Sequence, residues 1–518
     1  MEEKFKRGYT RIADLYDTGL SEVDKEHTLK GHIRYIRKGN GPLFVRLYDG
    51  TCRIVSDTFQ LVFADDKKDD LAISLVIGDT ISVTGKIVKS VAKEQPIEML
   101  VDKLEIIGKI EKPETYFAGA KTMPLVSMRT EENIHLRPRF AWSQAIYRIR
   151  DTVTFAFHEY MHKHGTLHLD PNIITKSDCE GGGEAFLVSS LSGLKDGLIS
   201  KIPRKKIIKT IAKEDGSIVE ESHDIDEIDW SHDFFSSQCW LTVSSQLQLE
   251  ALCHALGAVY TTNASFRAEE STTNRHLASF LHGEFEYPFI DMNQLMDILE
   301  DIVKYLLTAV IVSNEIDLKI IEKCSGEIEM LEYLKQVVSQ DFKRISYDDA
   351  ITICSKDIKE IRKKFKKEKV ELVKWGQDLG SYYERYLSED VYKKPVFIHS
   401  YPAELKSFYM KKQKPYEYVN PDGGITIRNT VMAIDLLSSV GEISGSSIRT
   451  DDYNELLKVM QDRKMDIDKY KWYLDLRKTG STPTGGAGLG IERIIQWICR
   501  CSIHDVSIFP VSYKKCWM

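Results

Sequence analysis

The sequence predicts an α+β protein in two parts, a small β-barrel followed by a larger region that mixes helices and strands. Three observations predict it. Residues 29–110 alternate apolar and polar positions in short runs broken by turn signals. Residues 141–164 carry apolar side chains at helical spacing. From Thr426 onward apolar strands and glycine-rich turns return, and the chain then enters a further helix.

The first run, LKGHIRYIRKGNGPLFVRLYDGTCRIV, alternates in the way a half-buried strand requires, and KGNG and DG mark its hairpins. DTISVTGKIVKS and PIEMLVDKLEIIG continue the pattern. Four or five strands in this length predict a small barrel at about 29–110, with the OB-fold as leading candidate for a first domain of residues 1–110. Residues 111–140 form a proline-bearing connector, and 141–518 the second domain. Its first helix, Ala141 to His164, aligns Ile146, Ile149, Val153, Phe157 and Met161 on one face, and an extended piece leads on to Pro171. The lysine-rich, then acid-rich stretch 195–228 reads as a surface insertion. Residues 291–338 and 348–372 read as helices; within the latter, IRKKFKKEK (361–369) is either a solvated helix face or a contact for a phosphate backbone.

A chain of 518 residues has room for two or more domains, and 42% hydrophobic with 29% charged residues fits an ordinary globular protein. The net charge of −7 excludes a globally basic nucleic-acid binder, so any nucleic acid would meet a local basic face. Nine cysteines without a CxxC pair point to a reducing compartment. The start, MEEKFKRGYT, lacks the apolar stretch of a signal peptide, and the apolar run YLLTAVIV (305–312) is too short to span a bilayer. These features predict a cytoplasmic protein away from membranes.

Four constellations could carry chemistry. SFRAEESTTNRHLASF (265–280) alternates cations, acids and hydroxyls; Arg267 and Glu269 would share one face of a strand between the strand-like LTVSSQLQLEAL and the return strand. An arginine fork suits phosphate and carboxylate, although a hairpin with exposed ion pairs has the same composition. In AIDLLSSVGEISG, Asp435 and Glu442 are two acids in apolar surroundings, suited to Mg²⁺ or else ordinary surface acids. GGAGLGIERI lets a backbone approach a nucleotide, but is neither a Walker loop nor a dinucleotide fingerprint. CEGGGEAF (179–186) places Glu180 at a glycine run, as an ammonium ligand or a plain turn.

Taken in order, Arg267-Ala268-Glu269, Arg275-His276-Leu277, Glu442 and GLGIER resemble the class II aminoacyl-tRNA synthetases, the first set as their motif 2 and the last as motif 3. The helix and strand ending at Pro171 resemble motif 1, which implies a homodimer. The N-terminal barrel is similar to that of the aspartate, asparagine and lysine subgroup. The resemblance implies a catalytic domain with an antiparallel sheet flanked by helices, ATP as a substrate, and Mg²⁺.

Within that subgroup the amino-acid pocket resembles the asparagine form. Where aspartate enzymes carry a lysine that meets the substrate's second carboxylate, this chain has Leu249, in Ser244-Ser245-Gln246-Leu247-Gln248-Leu249. FRAEES, WGQDL with ERYL, and YPAELKSFYM are also similar to the asparagine form. The resemblance implies that L-asparagine is joined to tRNA(Asn) through an adenylate. Glu180 would bind the α-ammonium, Gln246 the substrate, and Arg449 the side-chain oxygen. Arg267 would bridge the carboxylate and the α-phosphate. Arg275 and His276 would face the distal phosphates, and Asp435 and Glu442 would hold Mg²⁺. Ala268, Glu269, Leu277 and Gly490-Ile491-Glu492-Arg493 would complete the ATP site, with Arg493 on adenine. Phe44 would stack on an anticodon base and Glu98 would contact one. Against the family's pattern, Ser245 stands for a glycine and TTNASF lacks a Gly-Pro pair. The alternatives are an aspartyl enzyme, including one that charges both tRNAs, an ATP-dependent asparagine synthetase on the same fold, and a non-catalytic RNA-binding relative.

Overall fold

The computed structural model describes residues 7–39, 41–51, 58–65, 70–91, 95–113, 125–176, 185–191, 202–212, 217–271, 275–419 and 423–516. They fall into two compact units: residues 1–152 with 307–335, and residues 153–306 with 336–518.

In the first unit five strands close a barrel, in the order Glu26–Arg37, Leu43–Tyr48, Phe59–Phe63, Ile97–Gly108 and Thr80–Lys89. All neighbours pair antiparallel except Phe59–Phe63 with Ile97–Gly108. The period-2 alternation sorts the side chains. Leu43, Val45 and Leu47 enter the core with Leu61, Val83 and Met99, while Phe44, Arg46 and Tyr48 take the opposite face. The helix Ile12–Thr18 adds Ile12, Leu15 and Tyr16 to the same core. Residues 141–152 and 307–335 belong to this unit; the buried Arg148 guanidinium donates to Asp317 at 2.8 Å, and Asn314 holds the other Asp317 oxygen at 2.7 Å.

The second unit is built on an eight-stranded sheet, ordered Lys343–Ser346, Val396–Pro402, Thr430–Ser438, Gly441–Ile448, Thr484–Gly490, Ser279–Pro288, Val259–Phe266 and Leu167–His168. Only the two outermost pairs are parallel. The first long helix runs Ala141–Lys163, and Ile146, Ile149, Val153, Phe157 and Met161 are all fully buried, as their spacing predicts. Helices Met292–Ser313, Met330–Val338, Tyr347–Lys356 and Ile358–Lys364 fill the regions expected to be helical. The described part of the 195–228 insertion is a hairpin, Arg204–Ala212 on Ile218–Ile228, with Lys205 paired to Glu227 at 2.7 Å. No helix among the described residues is long and apolar enough to cross a membrane.

Two local expectations need correction. LTVSSQLQLEAL is not strand-like throughout. A short strand, Cys239–Leu241, gives way to the helix Gln246–Leu256, because QLQLEALCHAL is rich in strong helix formers and Ser245 starts it. The following strand ends at Phe266, so Arg267 and Glu269 do not share a strand face; they stand on the loop beyond it.

Candidate active site

A cavity of about 280 Å³ opens in the second unit over the central strands. Arg267, Glu269, Arg275, His276 and Leu277 reach it from the loop between two paired strands, anchored by the Arg267 amide donating to the Ala278 carbonyl at 3.0 Å. Asp435, Glu442 and Arg449 come from two neighbouring strands, and Gly490, Glu492 and Arg493 from the glycine-rich strand and the helix Ile491–Cys499. Gln246 enters on the first turn of its helix. Ala268 and Ile491 are not among the lining residues.

One end of the cavity is a tightly fixed polar cluster. The Arg449 guanidinium donates from Nε and Nη2 to the two oxygens of Glu286, at 3.0 and 2.8 Å. It also donates to Gln246 Oε1 at 2.7 Å and to Ser447 Oγ at 2.5 Å. Burial works against the Arg449 charge, but Glu286 more than compensates and holds its pKa above the ordinary value. The pair can form because residue 486 is glycine. A Cβ there would lie 1.9 Å from Glu286 Oε2. Because guanidinium only donates, Gln246 must present its oxygen to Arg449, which leaves the amide NH₂ as the outward group. That nitrogen is buried and has no partner among the described residues, as is the Ser444 hydroxyl. Glu284 fixes the start of the Gln246 helix by accepting from the Ser245 amide at 2.9 Å and from the Ser244 hydroxyl.

The other end is charged. Lys406 Nζ donates to Asp435 at 2.5 Å. Burial opposes the Lys406 charge, and Asp435 and Glu442 together raise its pKa. Burial likewise lifts Asp435 above the usual carboxylate range, against the pull of Lys406. Asp435 and Glu442 converge over Gly445, where an added Cβ would meet Glu442 Oε1 at 3.2 Å and Asp435 Oδ1 at 3.8 Å. Among the described residues no group of three or more acid, histidine or cysteine side chains is arranged for a metal. The convergent pair does fit a Mg²⁺ that takes its remaining ligands from phosphate and water. Arg493 donates to the Glu442 carbonyl at 2.8 Å, while the Glu492 carboxylate accepts from the Leu281 amide at 3.0 Å. His276 contacts Glu269 at 3.2 Å and Ser271 at 2.9 Å; burial lowers its pKa, keeping it neutral near pH 7.

Sequence reasoning passed over several of these groups. Glu286, Glu284 and Lys406 lie far along the chain from their partners. Glu384, on the short helix Ser381–Tyr386, accepts from the Glu442 amide at 3.1 Å; burial and then the Glu442 charge push it up to about 8. Arg275 donates to Ser381 at the start of that helix. Leu249, expected beside the substrate, is instead a core residue. It packs with Cys253, Val259, Leu169 and Leu252 and does not line the cavity. Glu180 lies outside the described residues.

The family described as "tRNA synthetases class II (D, K and N)" matches residues 220–513, and "OB-fold nucleic acid binding domain" matches residues 27–107. The asparagine–tRNA ligase of Colwellia psychrerythraea is 35% identical over 497 residues, covering 95% of this chain and 96% of that protein. The chain belongs to the asparagine–tRNA ligase family of class II tRNA synthetases. Its fold agrees with that family. The asparaginyl-tRNA synthetase of Pyrococcus horikoshii complexed with asparaginyl-adenylate superposes with a TM-score of 0.74 at 26% identity, covering 97% of this chain and 98% of that one. The Entamoeba histolytica asparaginyl-tRNA synthetase in complex with asparaginyl-adenylate gives 0.71 at 25% identity over 97% and 98%. The motif loop, the two acids and the glycine-rich strand all meet at one cavity, as synthetase chemistry requires.

Proposed function

We propose that this protein joins L-asparagine to tRNA(Asn) at the expense of ATP, in two steps. One observation favours asparagine over aspartate: the cation at the amino-acid end of the cavity, Arg449, is already neutralised by the buried Glu286. A neutral carboxamide can accept from the guanidinium edge and meet the Gln246 amide and Ser444 hydroxyl. A second carboxylate would bring a net charge into a region whose charges are already paired, and burying an unpaired charge is strongly unfavourable.

In the first step the asparagine carboxylate oxygen attacks the α-phosphorus. The bond from that phosphorus to the bridging oxygen breaks, and pyrophosphate leaves with the electron pair. Arg267 would span the carboxylate and the α-phosphate, where charge develops, and Arg275 and His276 would meet the distal phosphates. Arg493 would face adenine. Asp435 and Glu442 would hold Mg²⁺, which supplies charge neutralisation to the phosphates. Lys406, already on Asp435, keeps that acid from standing unpaired before the nucleotide enters. In the second step a hydroxyl of the terminal tRNA ribose attacks the acyl carbon, and AMP leaves. The rate comes from positioning and charge; no side-chain nucleophile is needed.

In the barrel, Phe44 stands half-buried on the outer face, suited to stack on a base. Glu98, on another strand of the barrel, accepts from Gln60 and Ser90, each at 2.8 Å, and would reach a base only from that network. A homodimer through the segment ending at Pro171, and a cytoplasmic location, complete the reading. Charging of tRNA transcripts with labelled asparagine and labelled aspartate tests it. Asparagine should accumulate on tRNA(Asn) in the presence of ATP and Mg²⁺; accumulation of aspartate alone would refute the reading.

A further inference from the structure

We infer that the basic segment around Lys356–Lys369 is a docking face for the phosphate backbone of the tRNA acceptor arm; the inference rests on the tRNA-charging function above. Between residues 356 and 371 the chain carries eight cations and four acids in a protein whose net charge is −7. A run of this kind is commonly neutralised by its own acids. Here each acid is already engaged, and only Glu371 pairs with a cation of the run itself. Asp357 and Glu360 both accept from the Tyr386 hydroxyl, at 3.2 and 3.1 Å. Glu368 takes Arg385 at 2.5 Å, and Glu371 takes Lys369 at 2.6 Å. Lys364 answers Glu389 and Asp390. Lys356, Lys359, Lys363, Lys366 and Lys367 stay exposed, and among the described residues no acid lies within ion-pair distance of any of them.

The position of the segment chooses the partner. The Ser381–Tyr386 helix joins it to the cavity. At the helix start Ser381 receives Arg275, a cavity-lining cation. One turn on, Arg385 donates back to the Ser381 carbonyl at 3.2 Å, reaches Glu368, and lies 4.5 Å from the Phe365 ring centroid. The exposed lysines therefore lie on a segment that this helix ties to Arg275 of the cavity. The second step requires the 3′ end of an RNA to enter this cavity with a phosphate-lined stem behind it. Ammonium groups on flexible stems can follow such a backbone without reading its sequence. Lipid or an acidic protein would have no reason to sit beside the reacting atoms.

The test replaces Lys363, Lys366 and Lys367 together by glutamine in the full chain, with a glutamate triple variant beside it. ATP–pyrophosphate exchange, which needs no tRNA, should match wild type in both and shows that the fold and cavity are intact. The KM for a tRNA(Asn) transcript should rise about 10- to 100-fold, more for glutamate, and the salt dependence of kcat/KM should flatten by about one unit of slope per lysine removed. A minihelix containing only the acceptor stem should compete with tRNA on wild type and lose that ability on the variants. Unchanged tRNA KM and salt slope with normal exchange would overturn the inference while leaving the charging function standing. So would an equal loss of binding by an isolated anticodon stem-loop, or lysine-dependent binding to anionic vesicles with tRNA KM unchanged. A wild-type protein that charges no tRNA would instead bring down the function on which the inference rests.

Discussion

The outer face of the barrel and the interior of the catalytic cavity both gather polar groups, but they hold them differently. On the barrel, Glu98 shares one oxygen among Gln60, Ser90 and Gln95, and Arg46 is tied to Gln95 at 2.5 Å; the network closes on itself, and Phe44 is partly exposed. In the cavity the charges are buried in fixed pairs, Arg449 with Glu286 and Lys406 with Asp435, and the Gln246 amide nitrogen and Ser444 hydroxyl have no partner among the described residues. A face that contributes affinity needs an aromatic surface and a polar frame. A site that must select a side chain and stabilise developing charge needs its dipoles and charges fixed beforehand. Disturbing the first should weaken one step, and disturbing the second should stop the chemistry.

The largest effect belongs to Arg267→Ala. If Arg267 meets the α-phosphate as proposed, removing it should reduce pyrophosphate exchange by two or more orders of magnitude, about 3 kcal/mol or more in the barrier. Exchange within a few-fold of wild type would show that Arg267 plays no such part. Glu286→Gln comes next and strikes at selection. With its carboxylate gone, Arg449 keeps an uncompensated charge, and breaking a buried pair costs about 3–5 kcal/mol. Asparagine activation should fall, and the ratio of aspartate to asparagine activation should rise by about a decade. A folded variant with an unchanged ratio would detach the pair from side-chain selection.

Phe44→Ala probes the other region. Losing one stacking partner should weaken tRNA charging by about 1–3 kcal/mol while leaving pyrophosphate exchange untouched. Normal charging by a folded variant would remove Phe44 from tRNA recognition. The smallest effect is a pH slope. Glu384 titrates at about 8 in the folded protein and near 4.5 unfolded, because burial and Glu442 disfavour its charge. Between those values the folded state holds a proton that the unfolded state has lost, so this group's contribution to stability declines as pH rises toward 8. Comparing metal-free Tm at pH 5.5 and 7.5, Glu384→Gln should lose less stability over the interval than wild type does. Parallel curves would mean that Glu384 is ionised throughout.

What the sequence disclosed follows the range of the forces involved. Ile146 through Met161 were readable because helical spacing is local, and the barrel because strand alternation and hairpin turns are local. The loop of Arg267 and Arg275 and the glycine-rich approach to Arg493 were readable because each lies within a short stretch. Glu286 and Arg449 are 163 residues apart, and nothing local marks them as partners. Glu384 was hidden for the same reason, since its contact with Glu442 spans 58 residues. Leu249 shows the opposite failure. Matching it to the lysine of the aspartate enzymes placed it beside the substrate, but its side chain packs against Cys253 and Val259 instead. Leu249→Lys should therefore lower stability through a buried charge and leave the asparagine-to-aspartate ratio unchanged.

The claim that a pre-neutralised arginine makes this cavity an asparagine site is met most directly by ATP–pyrophosphate exchange on the wild-type protein, with asparagine and aspartate measured side by side under identical Mg²⁺ and pH. Asparagine should support exchange with kcat/KM at least about a hundredfold above that of aspartate. Equal or faster exchange with aspartate would contradict it.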